Sequence, residues 1–286
     1  MAFTEQHIHA FVDNYWPLVP EVATIHKFQT HDYLQYVDKE QAWRKATNKQ
    51  QRDYDTFLKR KFGEDFDTWI ALCKADNQKG SQYHLLYEHL YRTGMSELAP
   101  VKTVLRSRAT LESLLKLISS QENPFSLVDL GCGDASISIG VALALEKLQK
   151  IYAIDCNPFA FNAMERLIEK LPSQQREEVR QKLTFIQSDY ADHSLYENGK
   201  VFSSVEADVA LLAHLPTLSK SLPAAKFFCP NGTLIAYFDS STSVPAQQLE
   251  LDVNRIAHVL NTTFKFADEK MYWATNSVAA FRAIEQ

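Results

Sequence analysis

The run Ser126-Leu127-Val128-Asp129-Leu130-Gly131-Cys132-Gly133-Asp134-Ala135-Ser136 holds the residues whose types and spacing are best suited to chemistry. An apolar strand enters a tight glycine turn, and a helix starts straight after it. Gly131 and Gly133 remove the side chains that would hold a ligand away from the backbone, and both tolerate φ > 0. The helix offers N–H groups at its first turn. Asp129 places a carboxylate at the lip of this nucleotide cradle. A carboxylate there repels a pyrophosphate and attracts an ammonium group. An ordinary strand-to-helix turn or a dinucleotide site uses the same glycine spacing, so other positions must decide.

Asp155 closes the next apolar run, Tyr152-Ala153-Ile154-Asp155-Cys156-Asn157. In a doubly wound sheet, a carboxylate about twenty residues beyond the glycine turn reaches the ribose hydroxyls of a bound nucleoside. That position suits NAD as well as other nucleosides and does not choose between them. His84, Glu88 and His89 invite a metal reading, but His89 turns away from the i, i+4 pair and the spacing fits no zinc-hydrolase motif. A structural helix is the expectation, and no metal site is assigned.

These residues need a scaffold that brings strand ends together. From Pro124 the chain alternates apolar strands with helices, which implies a parallel sheet covered by helices. The expected strands are Leu127–Leu130, Ile151–Ile154, Leu183–Gln187, Val209–Leu212 and Thr233–Phe238. Phe264–Trp273 and Ser277–Ile284 follow, joined by a tight turn at Thr275-Asn276. The expected helices are Val101–Ser119, Ser136–Leu148, Phe159–Leu171, a short one over Pro223–Phe228, and one from about Ala246 to Leu260. The charged stretch 173–182 either extends the second crossover helix or forms a solvated turn. Residues 1–100 read as helical and aromatic, with Phe11, Tyr15, Trp16, Tyr33, Tyr36 and Trp43 early. The run Tyr83–Tyr91 follows as a buried helix stopped by Gly94. The expected organisation is a helical cap or lid over 1–100, holding a possible acceptor site, and a nucleoside-binding domain over 101–286.

The stretch Asp129–Ala135 resembles the first motif of the class I S-adenosylmethionine-dependent methyltransferases, acid-x-Gly-x-Gly-x-Gly, with Ala135 in place of the third glycine. A methyl group there is expected to fit. The resemblance covers roughly residues 101–286 and includes the order of elements, since these enzymes end their sheet with a hairpin whose last strand inserts antiparallel. It implies an α/β fold: a seven-stranded doubly wound sheet, mostly parallel with a C-terminal antiparallel hairpin, plus the N-terminal all-helical cap. It also implies S-adenosyl-L-methionine as cofactor. By the same resemblance Asp189, after the third strand in Gln187-Ser188-Asp189-Tyr190, is assigned to the adenine amino group, with Tyr190 beside it. Asp192 and His193 are alternatives if the register slips. The expected cofactor-binding set is Asp129, Gly131, Cys132, Gly133, Asp155, Cys156, Asn157, Ser188, Asp189, Tyr190 and Arg108. Arg106 or Arg108 either pairs with the cofactor carboxylate or lies on a solvated helix face. The fourth strand end lacks the Asn/Asp-Pro-Pro-aromatic run of many N-methylating members and carries His214. That histidine is either a general base or a packing residue.

Composition narrows the class further. The 286 residues are 45% hydrophobic and 23% charged, with a net charge of −5, an ordinary soluble globular balance. Residues 1–100 hold 12 Lys+Arg against 14 Asp+Glu, and the rest 18 against 21. This balance argues against nucleic acid as a partner. A small-molecule or peptide acceptor is the expectation, with RNA or protein acceptors on the same fold as the alternative. A dinucleotide oxidoreductase or a non-catalytic nucleotide-binding subunit is the alternative of another class. Cys73, Cys132, Cys156 and Cys229 fit no zinc or disulfide framework, and the two beside the cofactor segments are expected to be buried thiols. No leader or membrane span is visible, so a cytoplasmic location is expected.

Overall fold

A computed structural model describes residues 56, 58–79, 83–97, 114–119, 121, 123–190, 192, 205–213, 218–237, 263–266 and 278–284. The early aromatic residues, Arg106, Arg108, His193, His214, the 246–260 segment and the Thr275-Asn276 turn lie outside the described residues.

Five strands run parallel: β1 (Phe125–Leu130), β2 (Leu148–Asp155), β3 (Leu183–Gln187), β4 (Val209–Ala213) and β5 (Thr233–Tyr237). With β6 (Thr263–Phe266) and β7 (Val278–Ile284) the sheet order is β3-β2-β1-β4-β5-β7-β6. β7 lies antiparallel to both β5 and β6. The helices are α1 (Glu64–Lys79), α2 (Tyr83–Thr93), α3 (Ser136–Ala144), α4 (Ala160–Glu169), α5 (Ser173–Lys182) and α6 (Leu218–Phe228). The α/β class and the parallel sheet follow the alternation in the sequence. Central strands read as continuous apolar runs because both faces are covered: Leu127, Val128 and Leu130 of β1 and Val209, Ala210 and Leu211 of β4 are all fully buried.

Several boundaries differ from the sequence reading for identifiable reasons. α3 stops at Ala144 instead of Leu148, because Leu145 turns to extended backbone (φ −119°, ψ 102°) and the Leu148 N–H closes a turn on the Leu145 carbonyl at 3.1 Å. Leu145 and Leu148 are buried, one in the turn and one at the start of the strand, so their apolar spacing mimics a further helical turn. The charged stretch 173–182 is neither an extension of α4 nor a loop. Pro172 lacks the N–H needed to continue a helix, so a new one begins at Ser173 and buries only Val179. Arg180 then bridges Glu165 and Glu169 at 2.7 and 2.8 Å, tying α5 to α4. Lys182 donates to the Ala142 carbonyl at 2.8 Å and satisfies the end of α3. α6 begins at Leu218 and carries Pro223 inside it. β6 is described over Thr263–Phe266, and the rest of the expected Phe264–Trp273 strand lies outside the described residues.

Among the described residues, the N-terminal helices share their core with the sheet. Leu58, Phe66, Leu90 and Met95 belong to the same buried cluster as Leu127, Ile139, Ile151 and Val209 of the sheet module. α2 ends as its sequence implied, with Gly94 at φ +79°, the left-handed position that favours glycine. His89 on α2 is structural. Its Nε2 lies 2.8 Å from the Asp65 carbonyl and its Nδ1 lies 3.2 Å from Arg92 Nη2. A carbonyl only accepts and a guanidinium only donates, so the neutral Nε2–H form serves both.

At the amino-terminal edge of the sheet, Asp208 accepts hydrogen bonds from the Ser126 amide (2.8 Å) and hydroxyl (2.9 Å), joining the starts of β1 and β4. The Asp208 carbonyl accepts the Thr233 N–H at 3.0 Å, which brings β5 into line. Gly232 sits beneath this junction. A Cβ there would stand 2.1 Å from the Asp208 carbonyl oxygen and 2.3 Å from Cys229 Sγ. Backbone engaged in a sheet junction cannot give way cheaply, so Gly232→Ala is expected to destabilise the protein by about 2 kcal/mol or more, read as a lowered urea midpoint.

Candidate functional site

The carboxyl ends of β3, β2 and β1 lie side by side, where open α/β sheets bind ligands. This places Ser188, Asp189 and Tyr190, then Asp155, Cys156 and Asn157, then the turn Gly131–Gly133 along one edge. Electrostatics confirm the grouping: Asp155 and Asp189 both act on the Cys156 thiol and on the Tyr190 phenol. Asp155, Cys156, Asp189 and Tyr190 therefore lie close together at the strand ends. Arg108 and His214 fall outside the described residues. β4 is described to Ala213 and lies beside β1.

The turn itself is built by positive φ at three successive odd positions: Gly131 (73°), Gly133 (59°) and Ala135 (53°). Ala135 is the helix cap position of α3. The sequence posed its substitution as a question of room for a methyl group. The structure makes it a question of backbone, since a non-glycine residue in the left-handed region costs about 1–2 kcal/mol. Ala135 is fully buried, and that packing offsets part of the cost.

The amides of the turn are engaged within the protein. Gly131 N–H and Cys132 N–H donate to the Ile154 carbonyl at 2.8 and 3.1 Å, and Ala135 N–H to the Cys132 carbonyl at 3.0 Å. Gly133 N–H donates to Asp155 Oδ2 at 2.8 Å, and Ser136 N–H to Asp134 Oδ1 at 3.2 Å. The open first-turn amide expected at Ser136 is thus taken by Asp134. Asp129 also differs from expectation. It is 1% exposed, under the turn and not at its lip, and accepts the Ser138 hydroxyl at 2.6 Å.

Asp155 is fixed by two backbone donors, Gly133 N–H to Oδ2 and Asn157 N–H to Oδ1, each at 2.8 Å. Asn157 in turn accepts the Phe159 N–H through Oδ1 at 2.9 Å and starts α4. The Ser188 N–H donates to the Asp155 carbonyl at 3.0 Å, linking the β3 end to the β2 end. Burial raises the Asp155 carboxyl above the ordinary aspartate range. The Asn157 and Gly133 amides pull it back, and the Asp134 charge adds to the rise. Cys156 is exposed, correcting the expectation of a buried thiol, while Cys132 is half-buried. Desolvation, with Asp155 and Asp189, raises the Cys156 thiol. Burial first, then the same two carboxylates and Cys156, raise the Tyr190 phenol.

Sequence reasoning missed two contributors. Asp134 stands inside the glycine motif, and its place two residues before the helix start is a capping signal that was readable. Tyr91 comes from α2. A Cβ on Gly133 would stand 2.1 Å from the Tyr91 Oη, so this phenol fills the space that the glycine leaves. Nothing local marked it, because it lies in an apolar helical stripe far from the turn in sequence. A second cleft, of about 450 Å³ and lined by Gln121, Glu206, Asp208 and Asn231 among others, lies at the opposite edge of the sheet, away from these residues. Among the described residues no three His, Cys, Asp or Glu are grouped to hold a metal ion, and no helix is long and apolar enough to cross a membrane.

Five parallel strands, a glycine turn after the first, and an antiparallel strand inserted between the fifth and the edge are now all in view. This is a Rossmann-like, doubly wound α/β sheet, in the element order that the resemblance to the class I methyltransferases implied. No protein-family model matches the chain. Solved structures similar to it include Trm5b from Pyrococcus abyssi, at 18% identity and TM-score 0.41, covering 62% of this chain and 49% of that one. TYW2 from M. jannaschii, solved in complex with AdoMet, matches at 16% identity and TM-score 0.40, covering 62% and 78%. The M. jannaschii tRNA m1G37 methyltransferase matches at 15% identity and TM-score 0.39, covering 63% and 51%. This chain thus spans about half the length of the first and third. The last of these is named for a tRNA reaction, and the expectation that nucleic acid is an unlikely partner is withdrawn. Its physical basis was weak as well, since a net charge of −5 summed over the chain does not describe the local surface that meets an acceptor.

The raised Asp155 carboxyl has a testable consequence. Its proton is held more tightly in the folded protein than in the unfolded chain, where an aspartate titrates near about 3.9. The stability it contributes is full below that pH and is lost as pH rises toward the folded value. Urea unfolding of wild type and Asp155→Asn between about pH 3.5 and 7 is expected to show the variant gaining on wild type as pH rises. A flat difference would mean that burial does not raise this group.

Proposed function

We propose that the protein transfers the methyl group of S-adenosylmethionine to a nitrogen, oxygen or sulfur atom of an acceptor. The observation that carries this reading is the state of the glycine turn. The amides of Gly131, Cys132, Gly133, Ala135 and Ser136 are spent on internal partners, and Asp129, Asp134 and Asp155 surround them. A pyrophosphate needs free amide donors and an absence of carboxylates. This turn meets neither need, which disfavours a dinucleotide. A nucleoside with a cationic tail and no phosphate suits it.

In that reading Asp155 takes the ribose hydroxyls, held in position by its two backbone donors. Asp189 and Tyr190, one strand further out, take the adenine. Gly131–Gly133 face the amino-acid end, with Asp129 buried beneath them, Cys132, Cys156, Asn157 and Ser188 as near neighbours and Arg108 as partner for the cofactor carboxylate. The cofactor supplies an already activated sulfonium methyl, so the protein's task is alignment and exclusion of water. His214, following β4, is the proposed acceptor-side residue, as a base where the acceptor carries a proton. Residues 1–100 are proposed as a helical cap on the 101–286 module, forming part of the acceptor side. Small-molecule, peptide and RNA acceptors all belong in the search.

Calorimetric titration tests the cofactor. S-adenosylmethionine and S-adenosylhomocysteine are expected to bind in the micromolar range, NAD not to bind, and Asp155→Ala to lose at least about tenfold in affinity, the loss of one charged hydrogen bond. Absence of binding by both sulfur nucleosides would sink the proposal. A second readout is thiol chemistry. Cys156 is exposed with a raised pKa, and Cys229 is buried with its thiol pushed up to about 12. At pH 8, iodoacetamide is expected to modify Cys156 slowly and Cys229 not at all in the folded protein. S-adenosylhomocysteine should slow the Cys156 reaction further, as followed by mass spectrometry.

A further inference from the structure

We infer that Tyr91, delivered by α2 and not by the sheet, is a cofactor-contacting residue whose phenol hydroxyl hydrogen-bonds the amino-acid end of the cofactor over Gly133. The inference rests on the methyltransferase reading and adds to it a binding residue from outside the sheet module.

Position along the sheet edge selects the part of the ligand. Asp189 ends β3, Asp155 ends β2 and the glycine turn ends β1, and these strands are adjacent in that order. A nucleoside with its adenine at Asp189 and its ribose at Asp155 therefore extends its tail over the turn. Tyr91 Oη stands on Gly133, the same residue whose amide is bound by Asp155. With that amide spent, the turn has no donor of its own to offer at Gly133, and the phenol is the hydroxyl in that place. Burial first, then the charges of Asp134 and Asp155, hold the phenol well above the ordinary tyrosine range, so it stays a donor at any working pH.

The placement is built and held. Arg166 of α4 donates to the Tyr91 carbonyl at 2.6 Å. The Tyr87 ring packs against Tyr91 at 5.8 Å between centroids, and Ala160 and Ala163 of α4 complete the contact. Tyr91 is 6% exposed, so it has one orientation to present. Gly133 answers a need for space from the protein's own side: any larger residue would push the phenol off the turn.

The test compares two ligands on three proteins. Wild type, Tyr91→Phe and Gly133→Ala are titrated with S-adenosylhomocysteine and with adenosine, which lacks the amino-acid end, and each apo protein is melted. Tyr91→Phe keeps the ring packing and removes only the hydroxyl. It is expected to weaken S-adenosylhomocysteine about tenfold, the worth of one hydrogen bond. Adenosine affinity should stay within about twofold and the melting temperature close to wild type. Gly133→Ala, which displaces the phenol, should show the same selective loss in whatever fraction folds. Unchanged binding by Tyr91→Phe, equal losses for both ligands, or tighter binding on removal of the hydroxyl would each overturn the inference, the last by making Tyr91 a plug. Failure of wild type to bind S-adenosylhomocysteine would instead remove the parent reading, and this one with it.

Discussion

The Asp155 carboxylate is the joint on which the site depends. A half-buried carboxylate must be compensated, and both of its oxygens are, by amides of two different segments: Gly133 in the turn after β1 and Asn157 before α4. Those two bonds fix the turn against the end of β2. The Asp155 backbone carbonyl meanwhile receives Ser188 from the end of β3. One residue therefore sets the relative height of three strand ends. The opposing terms on its acidity show the balance, since burial raises the carboxyl while the two amides lower it. A ligand hydroxyl arriving at this carboxylate adds a further donor to an acceptor whose direction is already set, which is the sense in which the site is preorganised.

The same accounting underlies the proposal that the turn disfavours phosphate although its glycines have the spacing of a phosphate cradle. Gly-x-Gly spacing specifies where the backbone runs; it does not specify whether the amides are free. Here strand end, turn and helix start satisfy one another, and Asp134 supplies the cap that α3 would otherwise seek from a ligand or solvent. The distinction between cofactor classes lies in which groups hold the amides, and this becomes visible only once the fold places Asp155 and Asp134 beside the turn.

Much of this arrangement was legible in the residues. The apolar runs of β1, β4 and β5, the glycine turn and the acid closing β2 all come from local signals: period, turn chemistry and motif spacing. β3 was matched over its full length, Leu183–Gln187. The errors arose where two local readings coincide. Leu145 and Leu148 fit a helical stripe as well as a turn and strand start. The 173–182 stretch has helix-forming residues but almost no apolar face, so its helix depends on the Pro172 break and on ion pairs to α4 that the sequence cannot show. The motif gives Asp129 a place beside the glycines, whereas its burial follows from the fold, which brings the Ser138 hydroxyl of α3 onto its carboxylate.

Tyr91 marks the limit of local reading most clearly. Nothing within its own helix distinguishes it from Tyr87 or Leu90, which serve the core. Its significance comes from α2 packing across α4, with the Arg166 bond locking the crossing, so that one ring reaches a glycine more than forty residues away in sequence. Among the described residues, packing crosses the change of pattern near residue 100. Leu90 and Met95 share a cluster with β1 and α3, and separating the two segments would expose apolar surface on both. An aromatic helix that belongs to the hydrophobic core and also ends on the glycine turn cannot shift without disturbing that turn. A movement of α2 would therefore shift the Tyr91 phenol against Gly133, the place where the methyl donor is proposed to sit.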